Sequence, residues 1–243
     1  MLGTKLLFIS AFCIFALTSG PALAEPCTVD DRSCILKQIE AESAQIENTS
    51  WRDQTYRELA KTKAFEGDMD GALAVIDKIE TPDTQAMTIR GIGMAAADLK
   101  LPQEQYDSLF TRLRAKAESI EHPPSYAIAL TYIAMAQAFA GDNEGAWKTA
   151  SEMKNDALRN KAYGETAEIQ AEAEDAAAAM KSIGFIQSLA FRNKSYVIVS
   201  KLLADRGKFE GALQAAMKID NAYKKANALQ YVLDKQKPRD IKK

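Results

Sequence analysis

The chain has 243 residues, 47% of them hydrophobic and 26% charged, with 31 basic and 33 acidic side chains. The charge is nearly balanced and the signs interleave, so no basic stripe marks a nucleic-acid surface. One histidine and three cysteines leave little from which to build a metal centre or a nucleophilic system.

Residues 1–24 read as a signal peptide. Lys5 is their only charge, Leu6 to Leu17 is almost wholly apolar, and Ala22-Leu23-Ala24 fits a small-x-small cleavage site. The run is too short to span a bilayer, and Gly20-Pro21 breaks it. Cys13 and Cys27 lack the context of a lipid anchor. Export to the periplasm or beyond is therefore expected, and no stable membrane insertion after cleavage.

Residues 25–50 form an N-terminal arm with a cysteine pair and a helix. Cys27 and Cys34 lie in a disulfide-permissive compartment. In one regular helix, seven residues at about 1.5 Å each would hold them roughly 10 Å apart. A disulfide needs Cα atoms about 4.4–6.8 Å apart, so Thr28 to Ser33 must turn if they bond. The spacing lacks the C-x-x-C geometry of a redox pair.

Residues 51–234 repeat. Gly67-Asp68-Met69-Asp70-Gly71-Ala72-Leu73 returns as Gly141-Asp142-Asn143-Glu144-Gly145-Ala146-Trp147 and as Gly207-Lys208-Phe209-Glu210-Gly211-Ala212-Leu213. A degraded copy is read at Ala173 to Ala179, and another near Leu101, with Pro102 where glycine would stand. The copies start at 67, 141, 173 and 207, at intervals of 74, 32 and 34 residues. A period in the low thirties with helical flanks predicts stacked helical hairpins, which cannot bury their apolar faces singly. Each glycine suits the left-handed end of a helix. Ala72, Ala146, Ala178 and Ala212 take one small-residue place in helix B. Ala60, Ala134, Thr166 and Ser200 take another in helix A. Ile79, Met153, Phe185 and Ile219 follow the helix-B alanines by seven residues, on one face. Arg159-Asn160-Lys161-Ala162-Tyr163 recurs as Arg192-Asn193-Lys194-Ser195-Tyr196 and is expected to open helix A.

Helices are predicted at 31–47, 51–66, 69–79, 84–99, 103–120, 125–140, 143–153, 157–173, 175–188, 192–206, 208–219 and 222–234, with Ser125 as an N-cap. The last is a capping helix, and 235–243 is a basic tail. The expected fold is all-α, a right-handed superhelix (α-solenoid) of about five hairpins. There is no span for a catalytic module.

These residues resemble the tetratricopeptide-repeat superfamily. The small residues of helix A, the alanines of helix B and the glycine near the turn match its pattern. Its aromatic place is Lys63, Gln137, Ile169 and Leu203. The resemblance implies a concave wall lined by helix A. Carried onto this chain, that wall includes Arg57, Lys61, Phe65, Thr131, Met135, Phe139, Asn160, Tyr163, Gln170, Lys194 and Lys201. It implies binding of a protein or peptide as adaptor or assembly factor, with no catalytic residues, metal or cofactor. An accessory to a cell-wall enzyme and a carrier of a small hydrophobic ligand are the alternatives. His122 reads as structural, Trp147 as core, and Glu165 with Glu168 as a helix-surface pair.

Overall fold

A computed structural model describes residues 27–236. The expected signal peptide and most of the basic tail lie outside the described residues. Within them the chain forms twelve α-helices. The arm holds α1 (Arg32–Ala44). Then come five pairs, each a longer helix A and a helix B. They are α2 (Thr49–Phe65) with α3 (Met69–Ile76), and α4 (Pro82–Asp98) with α5 (Gln103–Glu118). Next are α6 (Pro123–Phe139) with α7 (Asn143–Ser151), and α8 (Asp156–Glu172) with α9 (Ala176–Gly184). Last are α10 (Leu189–Asp205) with α11 (Phe209–Met217), closed by the unpaired α12 (Ala222–Lys235). All twelve predicted helices are present.

The helices start where the capping chemistry places them. Asn48 and Asn155 accept the backbone N–H of Trp51 and Leu158, and Asp68, Asp142 and Asp175 do the same at α3, α7 and α9. Several A helices begin about two residues earlier than predicted. Ser125 is not the cap of α6. His122 is, and Pro123 and Pro124 occupy the first turn, where a missing N–H costs nothing. The Arg159 and Arg192 phrases accordingly fall in the second turn of their helices, not at the start.

A left-handed residue joins each A helix to its B helix. Gly67, Gly141 and Gly207 have φ of 84°, 82° and 72°. Lys100 (49°) and Glu174 (66°) hold the same place in the two degraded turns. Two corrections follow. Lys100, not Pro102, stands at the glycine position. In the fourth hairpin that position is Glu174, one residue later than the alignment on Ala173. The helix-B alanine is then Ala179, fully buried, rather than Ala178. The helix-A small residue is Ala167 rather than Thr166, and the apolar residue seven on is buried Ile186 rather than exposed Phe185. The left-handed residues 67, 100, 141, 174 and 207 step by 33, 41, 33 and 33. The long step arises because α5 has 16 residues where the other B helices have 8 or 9.

The core runs along the seams between helices. Each A helix packs on its own B helix and on the next A helix, from α2 through to α12. B helices touch one another sparingly. Ala60, Gly93, Ala134, Ala167 and Ser200 hold one buried small-residue place on successive A helices. Ile79, Met153, Ile186 and Ile219 fill the space after each short B helix and are almost wholly buried. A disulfide closes the arm on itself, and ion pairs hold it to the first hairpin. Cys27 and Cys34 form a disulfide with Cα atoms 5.6 Å apart, Cys27 lying in the turn before α1. Arg32 pairs with Glu66, and Glu40 receives Lys78 at 2.5 Å and Lys63 at 3.3 Å.

Candidate functional site

The A helices share one face that the B helices leave uncovered. A step of 33 residues fixes which side chains occupy it in successive hairpins, with 41 across α5. Arg57 and Lys61 of α2 correspond to Arg90 and Met94 of α4, Thr131 and Met135 of α6, Gly164 and Glu168 of α8, and Val197 and Lys201 of α10. Phe65 corresponds to Asp98, Phe139, Glu172 and Asp205.

Several expected wall residues stand on this face. Phe65 and Phe139 are 43% and 39% exposed. Lys61 lies 5.8 Å from the centre of the Phe65 ring, and Arg57 pairs with Glu58 at 2.7 Å. Lys194 and Lys201 are exposed, and Lys201 stands 5.2 Å from the Tyr231 ring. The Tyr231 hydroxyl donates to Asp205, which Lys235 also holds at 2.6 Å. The Lys235 hydrogen bond, with Tyr231, keeps the Asp205 carboxyl below its ordinary range.

Three expected wall residues do not belong to it. Asn160, Tyr163 and Gln170 are buried, because the one-residue slip in α8 turned its reading about 100° around the helix axis. Each has a packing role. Asn160 accepts the Gln187 N–H at 3.0 Å. The Tyr163 ring lies 5.2 Å from Phe185. Gln170 accepts the Ser182 hydroxyl at 2.6 Å and donates to Asn143 at 2.7 Å. Gln137 stands one hairpin earlier and accepts the Thr149 hydroxyl at 2.7 Å. A buried glutamine and hydroxyl thus pair in these two hairpins, and the α8 residue in register with Lys63, Gln137 and Leu203 is Gln170 and not Ile169. Thr131 and Met135 are in register but buried, Met135 against Ala138, Ala146 and Ile169.

The wall residues that sequence reading missed are Met87, Arg90 and Met94 on α4, and Lys161, Glu168 and Glu172 on α8. A 33-residue step from Gln54, Arg57 and Lys61 finds the first three. The interval between the two Arg-Asn phrases finds the others. Met87, Arg90, Gly91 and Met94 line a groove of about 350 Å³ with Arg57 and Lys61. Arg90 stands 5.4 Å from the Tyr132 ring.

Burial pushes the Glu168 carboxyl above its ordinary range. Glu165 adds to this, Lys194 opposes it, and Glu172 adds again. His122 sits in a structural chain: its Nδ1 lies 2.6 Å from the Ser125 hydroxyl, which donates to Asp83. Serine stands between carboxylate and imidazole here, the reverse of the order in which a histidine activates a serine. Trp147 is buried, donates to the Ser182 hydroxyl at 2.6 Å, and carries Lys181 over its ring at 3.8 Å. Among the described residues, no group of three or more His, Cys, Asp or Glu side chains is placed to hold a metal. Compared with known proteins, the chain matches no family model, no curated protein and no solved structure.

Proposed function

We propose that this is an exported helical-repeat protein that binds another protein or peptide along the shared face of its A helices, as an adaptor or assembly factor and not as an enzyme. The observation that carries the reading is that face itself. It presents Phe65, Met87 and Phe139, each roughly two-fifths exposed, beside Lys61 and Arg90. Exposed aromatic and thioether groups next to cations suit an amphipathic segment laid across several hairpins. The A helices pack in an unbroken row while the B helices meet little. That asymmetry supports a right-handed superhelix of the tetratricopeptide-repeat kind with the A helices inside. The cysteine pair and the apolar leader support export.

A photocrosslinking residue at Phe139 and at Lys201 tests this, with exposed Ser151 of α7 as control. The wall positions are expected to capture one protein from the exported fraction, identified by mass spectrometry, and Ser151 none. Capture at all three positions alike, or at none, overturns the reading.

A further inference from the structure

Five links lead from one hairpin to the next A helix, and they are closed in different ways. In three, a buried side chain of the preceding A helix accepts N–H groups of the link. Asp53 accepts from Glu80 at 3.2 Å and from Thr81 at 2.7 Å. Asn160 accepts from Gln187 at 3.0 Å, and Asn193 from Asp220 at 2.8 Å. Each acceptor precedes its link residue by 27 positions. The α5–α6 link, displaced by the longer α5, is held by Asp83, Ser125 and His122.

The α7–α8 link has no such acceptor. Counting back 27 positions from Lys154 reaches Ala127. Among the described residues the Lys154 N–H makes no hydrogen bond. Ala127 and Lys154 line one pocket of about 490 Å³, within the size range of small-molecule sites. Its other walls are mostly apolar: Pro123, Tyr126, Leu130, Met153 and Leu158. Two polar groups at its margin are already engaged. Glu152 is held by Arg114 at 2.7 Å, and the Asn155 side chain caps α8. Lys154 itself stands where the three clasped links carry Glu80, Gln187 and Asp220. At this position, only the link without an internal acceptor carries a cation.

We propose that this pocket binds a small apolar carboxylate. Its head takes the place that the Asp53 carboxylate fills in the first hairpin, on the backbone N–H groups of Lys154 and Asn155 beside the Lys154 ammonium. Its body lies on Tyr126, Leu130 and Leu158. The first hairpin is the internal template, because two backbone N–H groups there hold a carboxylate against the same kind of link. Burying an apolar body drives binding, and pairing the otherwise idle donor orients it. The site shares no residue with the A-helix wall, so either assignment can fail without the other.

The probe is 4-phenylbutyrate, titrated into the nitrogen-15-labelled protein and followed by amide resonances. 4-Phenylbutylamine, with the same body and the opposite head, is the control. The carboxylate is expected to shift the Lys154 and Asn155 amides saturably, and the amine is not. Ala127→Asn supplies the clasp of the sister hairpins. It should weaken binding by about tenfold or more while melting no lower than the parent. Ala127→Leu, which plugs the pocket without an acceptor, should also lose binding. Equal shifts with the amine, saturable binding unchanged in both variants, shifts centred elsewhere, or no binding up to the solubility of the probe would each overturn the proposal.

Discussion

Two glycines in α4 stand two residues apart, and substitution should move stability in opposite directions. A Cβ at Gly91 would meet only the stem of Lys61, at 3.6 Å or more. A Cβ at Gly93 would stand 2.5 Å from the Ala136 methyl on α6. Alanine in place of glycine inside a helix gains about 0.5–1 kcal/mol. Gly91→Ala should keep that gain. Carbon atoms pack at about 3.5–4.0 Å, so Gly93→Ala must part α4 from α6 by roughly 1 Å. Neither methyl can swing aside, since each is fixed to its helix backbone. Overpacking of this kind costs about 1–3 kcal/mol, and the upper end applies. After the propensity gain, about 2 kcal/mol of loss remains. At roughly 2–4 °C per kcal/mol for a chain of this size, Gly93→Ala should melt about 4–8 °C lower, and Gly91→Ala a degree or more higher. Thermal unfolding followed by far-UV circular dichroism measures both. If Gly93→Ala melts at or above the parent, α4 and α6 do not cross this closely.

The corrected register predicts that Ala146→Leu and Ala179→Leu each cost about 1–3 kcal/mol, while Ala178→Leu, at the margin of the same helix, costs less. Hydrogen exchange should quicken mainly in the neighbouring hairpins, and equal melting of the two α9 variants would refute the assignment. Asn193→Ala leaves the Asp220 N–H without its partner, for about 1–3 kcal/mol, and exchange should quicken from α10 onward. Unchanged melting would show that the clasp is idle. Glu168 titrates above its ordinary range in the native state, chiefly through burial. The native protein therefore binds more protons than the unfolded chain in the window above the ordinary glutamate value, and stability falls as pH rises through it. Glu168→Gln should raise the melting temperature at neutral pH, and the gain should vanish below about pH 4, where both states are protonated. A gain that persists in acid would point to packing instead. The non-reduced mature protein should lack the two thiol hydrogens of Cys27 and Cys34 by mass, and full alkylation without reduction would contradict the disulfide.

The helices were legible because their punctuation is local. Asp68 and Asp142 cap, Gly67, Gly141 and Gly207 turn left-handed, and Pro82, Pro102, Pro123 and Pro124 fall in links or first turns. Each can be read from a few neighbours. The fourth hairpin was misread for the same reason. Glu174 takes a positive φ without the glycine that announces it, and a run of alanines from Ala176 to Ala179 offers no internal mark. The second hairpin hid behind its long α5, which breaks the period where Lys100 has replaced glycine. Only tertiary packing resolves such positions, since Lys100 and Glu174 are held left-handed by the helices that flank them.

On a helix wall a one-residue error is not small. It turns a side chain by about 100°, enough to exchange a groove residue for a core residue. Hence Asn160, Tyr163 and Gln170 passed for wall residues, while Lys161 went unnoticed and Glu168 was read only as half of a helix-surface pair. The Arg-Asn phrase recurs because it ties the links before and after its hairpin. Arg159 and Arg192 donate to the carbonyls of Met153 and Ile186, and Asn160 and Asn193 accept from the links that follow. In a repeat array, what every hairpin shares serves the stack. A ligand that binds at one place must be recognised by what that place alone carries. Gly91 is a helix-interior glycine that packing does not require, and it floors the groove between Arg57, Lys61 and Arg90. Ala127 withholds an acceptor that three sister links possess, and Lys154 sets a cation beside the gap. Each departure gives up local stability, and in a chain otherwise consistent from capping to core such departures mark where binding is to be sought.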